Sequence, residues 1–392
     1  MNSQTKSKSI PYGRQTITDA DIEAVVNVLK SDYLTQGPEV AKFETQFAAY
    51  VGCKYAVAVS NGTAALHLCA LALGVNTETR VITSPITFAA SANCIRYCGG
   101  EVFFADIDPK TFLLDIHAVR RLLEQYPKGY FKGIIPVDLA GHAIDLEAYR
   151  KLADEFNCWI IEDACHAPGG YFTDSKQQPQ YCGNGAFADL SIFSFHPVKH
   201  IATGEGGMIT TNDETLYKKL LLLRTHGITK NSLDYVNTPA EVSQGPWYYE
   251  MQELGYNYRL TDFQAALGTS QLSRANENLL RRKAIAKRYD EAFKNSNLQA
   301  PFSSPGHAYH LYVISVPERE ALYEHLRNNG IFAQVHYVPV HLMPYYKGLG
   351  HKKGAFPNAE AYYQKCLSIP MYHSLSEEDQ EFIIDIILNF NT

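Results

Sequence analysis

Apolar and polar positions follow two rhythms along this chain, and the switches between them predict its elements. TDADIEAVVNVLKS sets Ile22, Val25, Val26 and Leu29 at helical spacing, with Thr18 or Asp19 able to cap the start. From about residue 40 to 275, short apolar β-type runs alternate with helical stretches. KYAVAVS is a strand ending in SNGT, and TAALHLCALAL is the helix after it. RVITSP, EVFFADID, GIIPVDLAG and CWIIEDAC continue the strands. TFAASANCIRYCG and DLEAYRKLADEFN supply helices between them. This alternation predicts an α/β fold, a mainly parallel sheet with helices on both faces. Ligands bind such sheets beyond the carboxyl ends of the strands.

TDFQAALGTSQLSRANENLLRRKAIAKRYDEAF reads as helices long enough to carry the chain into a second domain. After about residue 300 the rhythm changes. HLYVISV is a strand, REALYEHLRNNG a helix ended by Gly330, and IFAQVHYVPV a strand. SEEDQEFIIDIILNF closes as an amphipathic helix capped at Ser376. The expected organisation is a lead-in over 1–16, a large domain over 17–275 and a smaller C-terminal α+β domain over 276–392. The lead-in is a mobile start followed by an extended IPYGRQ. No internal repeat or low-complexity tract interrupts this plan.

The chain's 392 residues exceed what one core comfortably serves, which agrees with two domains. With 46% hydrophobic and 19% charged residues, wholesale disorder is excluded. The net charge of −6 and the lack of a Lys/Arg run argue against a nucleic-acid partner. The eight cysteines are scattered without zinc-type Cys/His spacing, so no metal site is expected. Cys94 and Cys98 read as buried thiols of a reducing compartment rather than a metal or redox pair. The opening MNSQTKSKS lacks the apolar stretch of a signal peptide, and no run of about 18 apolar residues could span a membrane. A cytoplasmic location is the expectation.

Four segments carry chemistry, and all fall at predicted strand ends. In SIFSFHPVKHIATGEGG, Lys199 follows Phe195, Pro197 and Val198. A lysine with such neighbours is less plausibly a solvated surface residue, and a partly buried one loses charge and can form a Schiff base. In IIEDACHAPGG, Asp163 ends an apolar strand with His166 three residues on. A carboxylate there can pair with a pyridine nitrogen, although Asp is also a common helix cap. VAVSNGTAALHL ends a strand at a helix N-terminus, where free N–H groups and a small Gly62 make a phosphate cup with Thr63. It is not a P-loop, since GxxxxGK[ST] is absent. In SPITFAASAN, Phe88 either covers a planar ring or packs in the core.

SNGTAAL, TFAASAN, EDACHA, SFHPVKH, TGEGG and LGYNYRLTDFQAALG occur in order over most of the chain. As a set they resemble the DegT/DnrJ/EryC1/StrS sugar-nucleotide aminotransferases, of fold type I (aspartate aminotransferase-like) among pyridoxal-phosphate enzymes. The resemblance implies pyridoxal 5′-phosphate as cofactor. Lys199 would carry it and shuttle the proton, Asp163 would pair with its ring nitrogen, and His166 would sit near the ring. Phe88 would stack on it. Thr63, the Gly62 and Ala64 amides and Ser194 would hold its phosphate. Asn257 would reach that phosphate from a partner subunit, so a homodimer with shared active sites is implied. His200 departs from the family pattern, which has a small residue or proline after the lysine.

IPYGRQ, SDYLTQGPEVAKFE and HYVPVHLMPYY look most like the branch of this family that serves pseudaminic acid biosynthesis. That branch implies amination of carbon 4 of a UDP-linked 4-keto-6-deoxy sugar with L-glutamate as donor. Tyr33, His310, His336, Tyr337 and His341 are the candidates for sugar or UDP contacts, each equally readable as a packed loop aromatic or a satisfied histidine. Three rivals stand beside this reading. One is a relative acting on another nucleotide sugar, such as GDP-perosamine synthase. Another is a 3-dehydrase, which carries histidine in place of the lysine. The third is a non-catalytic protein on the same fold.

Overall fold

The computed structural model describes residues 9–390; the expected mobile start falls largely on residues 1–8, outside that range. Seven strands form the central sheet, in the order Tyr55–Val59, Gly207–Thr211, Leu190–Ser194, Trp159–Asp163, Gly133–Ile135, Arg80–Thr83 and Glu101–Phe104. All run parallel except Gly207–Thr211, which lies antiparallel to both neighbours. The reversal has a local cause. Parallel neighbours need a long crossover, usually helical, whereas residues 195–206 form a loop that turns directly back.

Side chains alternate across the strands and feed two cores. Ile134 and Ile160 pack with Tyr149 and Leu152 on one face, while Ile135, Ile161 and Ile192 pack with Leu66 and Ile95 on the other. On the Trp159–Asp163 strand this alternation sends Glu162 to the Ile160 side and Asp163 to the Ile161 side. The 133–135 strand stops before Pro136, which has no N–H to continue the ladder.

Several expectations are refined. The helix Asp19–Leu29 forms with Thr18 as its cap, but its buried positions lie to one side of the apolar stripe rather than along it. It buries Asp21 and Val28 and leaves Ile22 and Leu29 exposed. Ser270, Gln271 and Arg274 all donate to the Asp21 carboxylate, so a satisfied buried charge replaces the apolar contact. The long helical run breaks at Ser273–Arg274 into Asp262–Leu272 and Ala275–Phe293.

The lead-in is part of the small-domain sheet: Ile10–Pro11 pairs in parallel with Ile331–Phe332. The strand expected over IFAQVHYVPV therefore lasts only two residues, because its short partner ends at Pro11. Tyr312–Ser315 pairs with Cys366–Ile369, and Glu377–Leu388 covers the same core as Ala275–Phe293. No described helix is long and apolar enough to cross a membrane.

Candidate active site

Asp163 ends its strand with its carboxylate held on both oxygens. Ser91 Oγ donates to Oδ2 at 2.6 Å, and the Cys165 amide donates to Oδ1 at 3.2 Å. Ser91 is in turn linked to Thr87 Oγ1 at 2.8 Å, so a short hydroxyl chain from beyond the end of the Arg80–Thr83 strand, two strands away in the sheet, orients the acid. Sequence reasoning missed Ser91. It lies three residues after Phe88, on the next turn of a helix, and that spacing was its only signal.

Lys199 sits on the loop that follows Leu190–Ser194, where its own N–H bonds to His196 O. Its amine is enclosed, and burial lowers its pKa below the usual lysine range. The nearby Cys165 and Asp163 oppose that shift in part. Phe88, beyond the end of the Arg80–Thr83 strand, leaves 61% of its surface exposed, which is notable for a large aromatic. Its ring centroid lies 6.3 Å from that of Tyr337.

His166 is buried and has a defined tautomer. Its Nδ1 accepts the backbone N–H of Ala140 at 3.2 Å, so the ring proton lies on Nε2, which meets Tyr337 Oη at 3.2 Å. Burial first, then the Lys199, His336 and His200 positions, push its pKa well below the ordinary histidine value. It is therefore a neutral donor. His310 packs on it at 4.3 Å between centroids and is likewise held neutral by burial and by His166, Lys199, His200 and Arg282.

His336 is pushed down to about 3 by burial and by Lys199, and its Nδ1 meets Ser368 Oγ at 2.8 Å. Tyr12, also missed, lies 5.1 Å from His336 in the lead-in and closes this side of the group. His200, the departure from the family pattern, is buried behind Lys199 against His310.

The turn after Tyr55–Val59 is built for an anion, with one correction. Asn61 caps the helix Gly62–Ala72 and its side chain already accepts from the Ala64 N–H at 2.8 Å. Ala64 is therefore not a free donor; among the described residues the amides of Gly62 and Thr63 have no backbone or side-chain acceptor. Gly62 leaves little room for a side chain: a Cβ would come within 3.1 Å of Ser194 Cβ and 3.4 Å of its Oγ. Ser194 thus sits against the two free amides.

Three further candidates are not brought to this group. His341 is fully buried elsewhere, its Nε2 on Glu360 at 3.1 Å, its Nδ1 without a partner among the described residues, and its ring edge-on to Phe356. Tyr33 is exposed near the Asp19–Leu29 and Pro38–Val51 helices and bonds through its backbone to Ser31. Asn257 is exposed on the edge of the fold, bridged to Thr225.

A mainly parallel sheet with a lysine of lowered pKa, a fixed carboxylate and an anion-ready helix start at its strand ends defines an α/β enzyme that handles a phosphorylated planar group. The chain belongs to the DegT/DnrJ/EryC1/StrS aminotransferase family, whose model matches residues 15–388. This family is pyridoxal-phosphate dependent, and the fold is the type I α/β fold of such enzymes.

Among curated relatives, the spore coat polysaccharide biosynthesis protein SpsC of Bacillus subtilis is 39% identical over 395 residues, covering 98% of this chain and 97% of its own. The UDP-4-amino-4,6-dideoxy-N-acetyl-beta-L-altrosamine transaminase of Campylobacter jejuni is 36% identical, with 97% of each chain covered. Among solved structures, Helicobacter pylori PseC, an aminotransferase of pseudaminic acid biosynthesis, superimposes with a TM-score of 0.86 at 30% identity, covering 97% of this chain and 98% of its own. The PLP form of the sugar aminotransferase Spr1654 from Streptococcus pneumoniae gives 0.84 at 31% identity, covering 96% and 97%.

Proposed function

We propose that this enzyme aminates carbon 4 of UDP-2-acetamido-2,6-dideoxy-β-L-arabino-hexos-4-ulose, taking the amino group from L-glutamate. The product is UDP-4-amino-4,6-dideoxy-N-acetyl-β-L-altrosamine. The observation that carries the reaction class is Lys199, its pKa lowered by burial, close to an Asp163 whose two carboxylate oxygens are both hydrogen-bonded. The sugar assignment is supported by the likeness to the Campylobacter enzyme over nearly the whole chain.

The residues fit pyridoxal phosphate. The unused Gly62 and Thr63 amides with Ser194 would hold its phosphate, Asp163 its ring nitrogen, and Phe88 one ring face. When bound, the cofactor supplies an electron sink for the bond broken at the amino-bearing carbon. Lys199, its lowered pKa favouring the free amine, would be the nucleophile that holds the cofactor. Once released it is a base at the donor's Cα and then an acid. Asp163, fixed at the strand end by Ser91 and the Cys165 amide, would pair with the ring nitrogen and favour its protonated form. His166 donates through Nε2, and Tyr337, His310 and His336 line the approach for the sugar. Tyr33 has no contact with the Lys199 group in its own chain, so a role in sugar binding calls for a second subunit. Asn257 serves a neighbouring subunit in the same way, in a homodimer. Exposed apolar side chains on the 233–254 segment, Trp247 and Leu254 above all, agree with burial against another copy.

The test is to incubate purified protein with L-glutamate and the UDP-linked L-arabino keto-sugar and to assay 2-oxoglutarate and the amino sugar by mass spectrometry. Turnover of that sugar well above its D-configured and GDP-linked counterparts is expected. A second reading is favoured by the 39% identity to SpsC: amination of another nucleotide-linked 4-keto-6-deoxy sugar. Preference for one of the counterparts would replace the first reading with this one.

A further inference from the structure

Beneath the strand ends, on the face of the sheet opposite Asp163, two acids are buried with no cation. Asp138 is 0% and Glu162 1% exposed, and neither forms an ion pair with any described residue. A carboxylate oxygen of each lies with Cys182 Sγ inside a 4.8 Å group. Each acid has one oxygen bonded to a backbone N–H: Ile144 donates to Asp138 Oδ1 at 2.9 Å, and Gly183 donates to Glu162 Oε2 at 2.9 Å. The other oxygens, Asp138 Oδ2 and Glu162 Oε1, have no well-formed hydrogen bond among the described residues, although the Cys182 thiol lies close to both acids and the Ser191 hydroxyl close to Glu162. Two bare carboxylates at this range, out of water, repel strongly, and one proton between them removes both problems at once.

The pair stands behind the catalytic acid and histidine. Asp138 N–H donates to Asp163 O at 3.1 Å, and Glu162 precedes Asp163 on its strand. Asp138 Oδ1 closes the 138–144 turn, in which Ala140 takes φ 60° and points its N–H at His166 Nδ1. Gly141, at φ 97°, lies where a Cβ would meet His166 O at 2.8 Å and His310 N at 2.9 Å, so this turn is wedged between the two histidines.

We propose that Asp138 and Glu162 share a single proton and that this acid pair is a positioning device, holding the turn whose Ala140 N–H fixes the tautomer of His166. Burial and the mutual repulsion of the pair both raise the Asp138 pKa, in agreement. The shared proton stands on its own, whereas its effect on catalysis rests on the transaminase reading.

Amide substitutions separate this from the alternatives. In Asp138→Asn, the side-chain carbonyl keeps the Ile144 bond and the NH2 replaces the shared proton toward Glu162. In Glu162→Gln, the carbonyl keeps the Gly183 bond and the NH2 meets an ionised Asp138. Each single variant therefore reproduces the bond. The double variant sets NH2 against NH2, and turning either amide leaves a backbone N–H without an acceptor. Each single variant is expected to keep aminotransferase activity within about threefold of wild type, and the double to lose at least about tenfold, far beyond additivity.

Independently of activity, infrared difference spectra at neutral pH should contain one protonated-carboxyl band in wild type that both single variants lack. Absence of that band overturns the shared proton. A divalent metal bound at one equivalent per chain, lost in both single variants, would replace it with a metal site. The band with a double variant as active as the singles would overturn the positioning role alone.

Discussion

A lysine that must attack a carbonyl and then carry a proton gives up its charge more readily when its pKa is lowered, and the surroundings of Lys199 lower it by burial. Lys199→Ala should abolish transamination while leaving the fold intact, checked by steady-state assay and circular dichroism. Ser91 holds Asp163 through a 2.6 Å bond, of the short, charge-assisted kind. Ser91→Ala leaves one oxygen of Asp163 without its donor and should weaken cofactor retention by about tenfold, given the ~1.5–3 kcal/mol scale of hydrogen bonds to charged groups. Dialysis against buffer followed by cofactor assay reads this directly. His166→Gln, which keeps a donor near Tyr337, should retain more activity than His166→Phe in the same assay.

At the level of elements, the start of the Gly62–Ala72 helix joins folding to binding. Asn61→Ala removes a cap worth about 1 kcal/mol and leaves the Ala64 N–H without its acceptor. Gly62→Val would force a branched side chain into Ser194, and cofactor retention should fall more than global stability does. A cofactor-binding titration beside a urea unfolding curve distinguishes the two.

The strands and helices of the sheet were legible because their periods are clean, and the lysine, aspartate and glycine-containing turn were legible because each ends a strand. Ser91, Tyr12 and Ala140 were not. A serine on a helix, a tyrosine in a lead-in and an alanine backbone N–H gain meaning only when distant segments meet. His341 shows the mirror case: nothing local announces Glu360 as its partner. The docking face of Asp19–Leu29 was hidden because Ser270, Gln271 and Arg274, some 250 residues away, satisfy Asp21.

On the scale of the whole molecule, seven histidines (His142, His166, His200, His307, His310, His336 and His373) are held neutral by burial. Their folded pKa values lie below the unfolded value of about 6.5. The unfolded chain therefore binds more protons as pH falls below that point, and stability drops with it. The stability from each is fully present above about pH 6.5 and is lost at about 1.4 kcal/mol per pH unit below it, until its folded pKa is reached. The Asp138 and Glu162 pair has the opposite sign, since a raised carboxyl pKa favours the folded state in acid, but seven groups outweigh it. Urea midpoints should be level from pH 7 to 8 and fall steeply between pH 6.5 and 5. A flat profile through that interval would contradict the buried histidine layer.

The central claim is tested most directly by following the visible absorbance of the purified protein reconstituted with pyridoxal phosphate, through L-glutamate and then the UDP-linked keto-sugar. The account predicts a yellow enzyme that bleaches with glutamate and recovers its colour with that sugar, and a Lys199→Ala variant that never gains the lysine-bound absorbance. A wild type that stays colourless with cofactor supplied, or whose colour glutamate leaves unchanged, would contradict it.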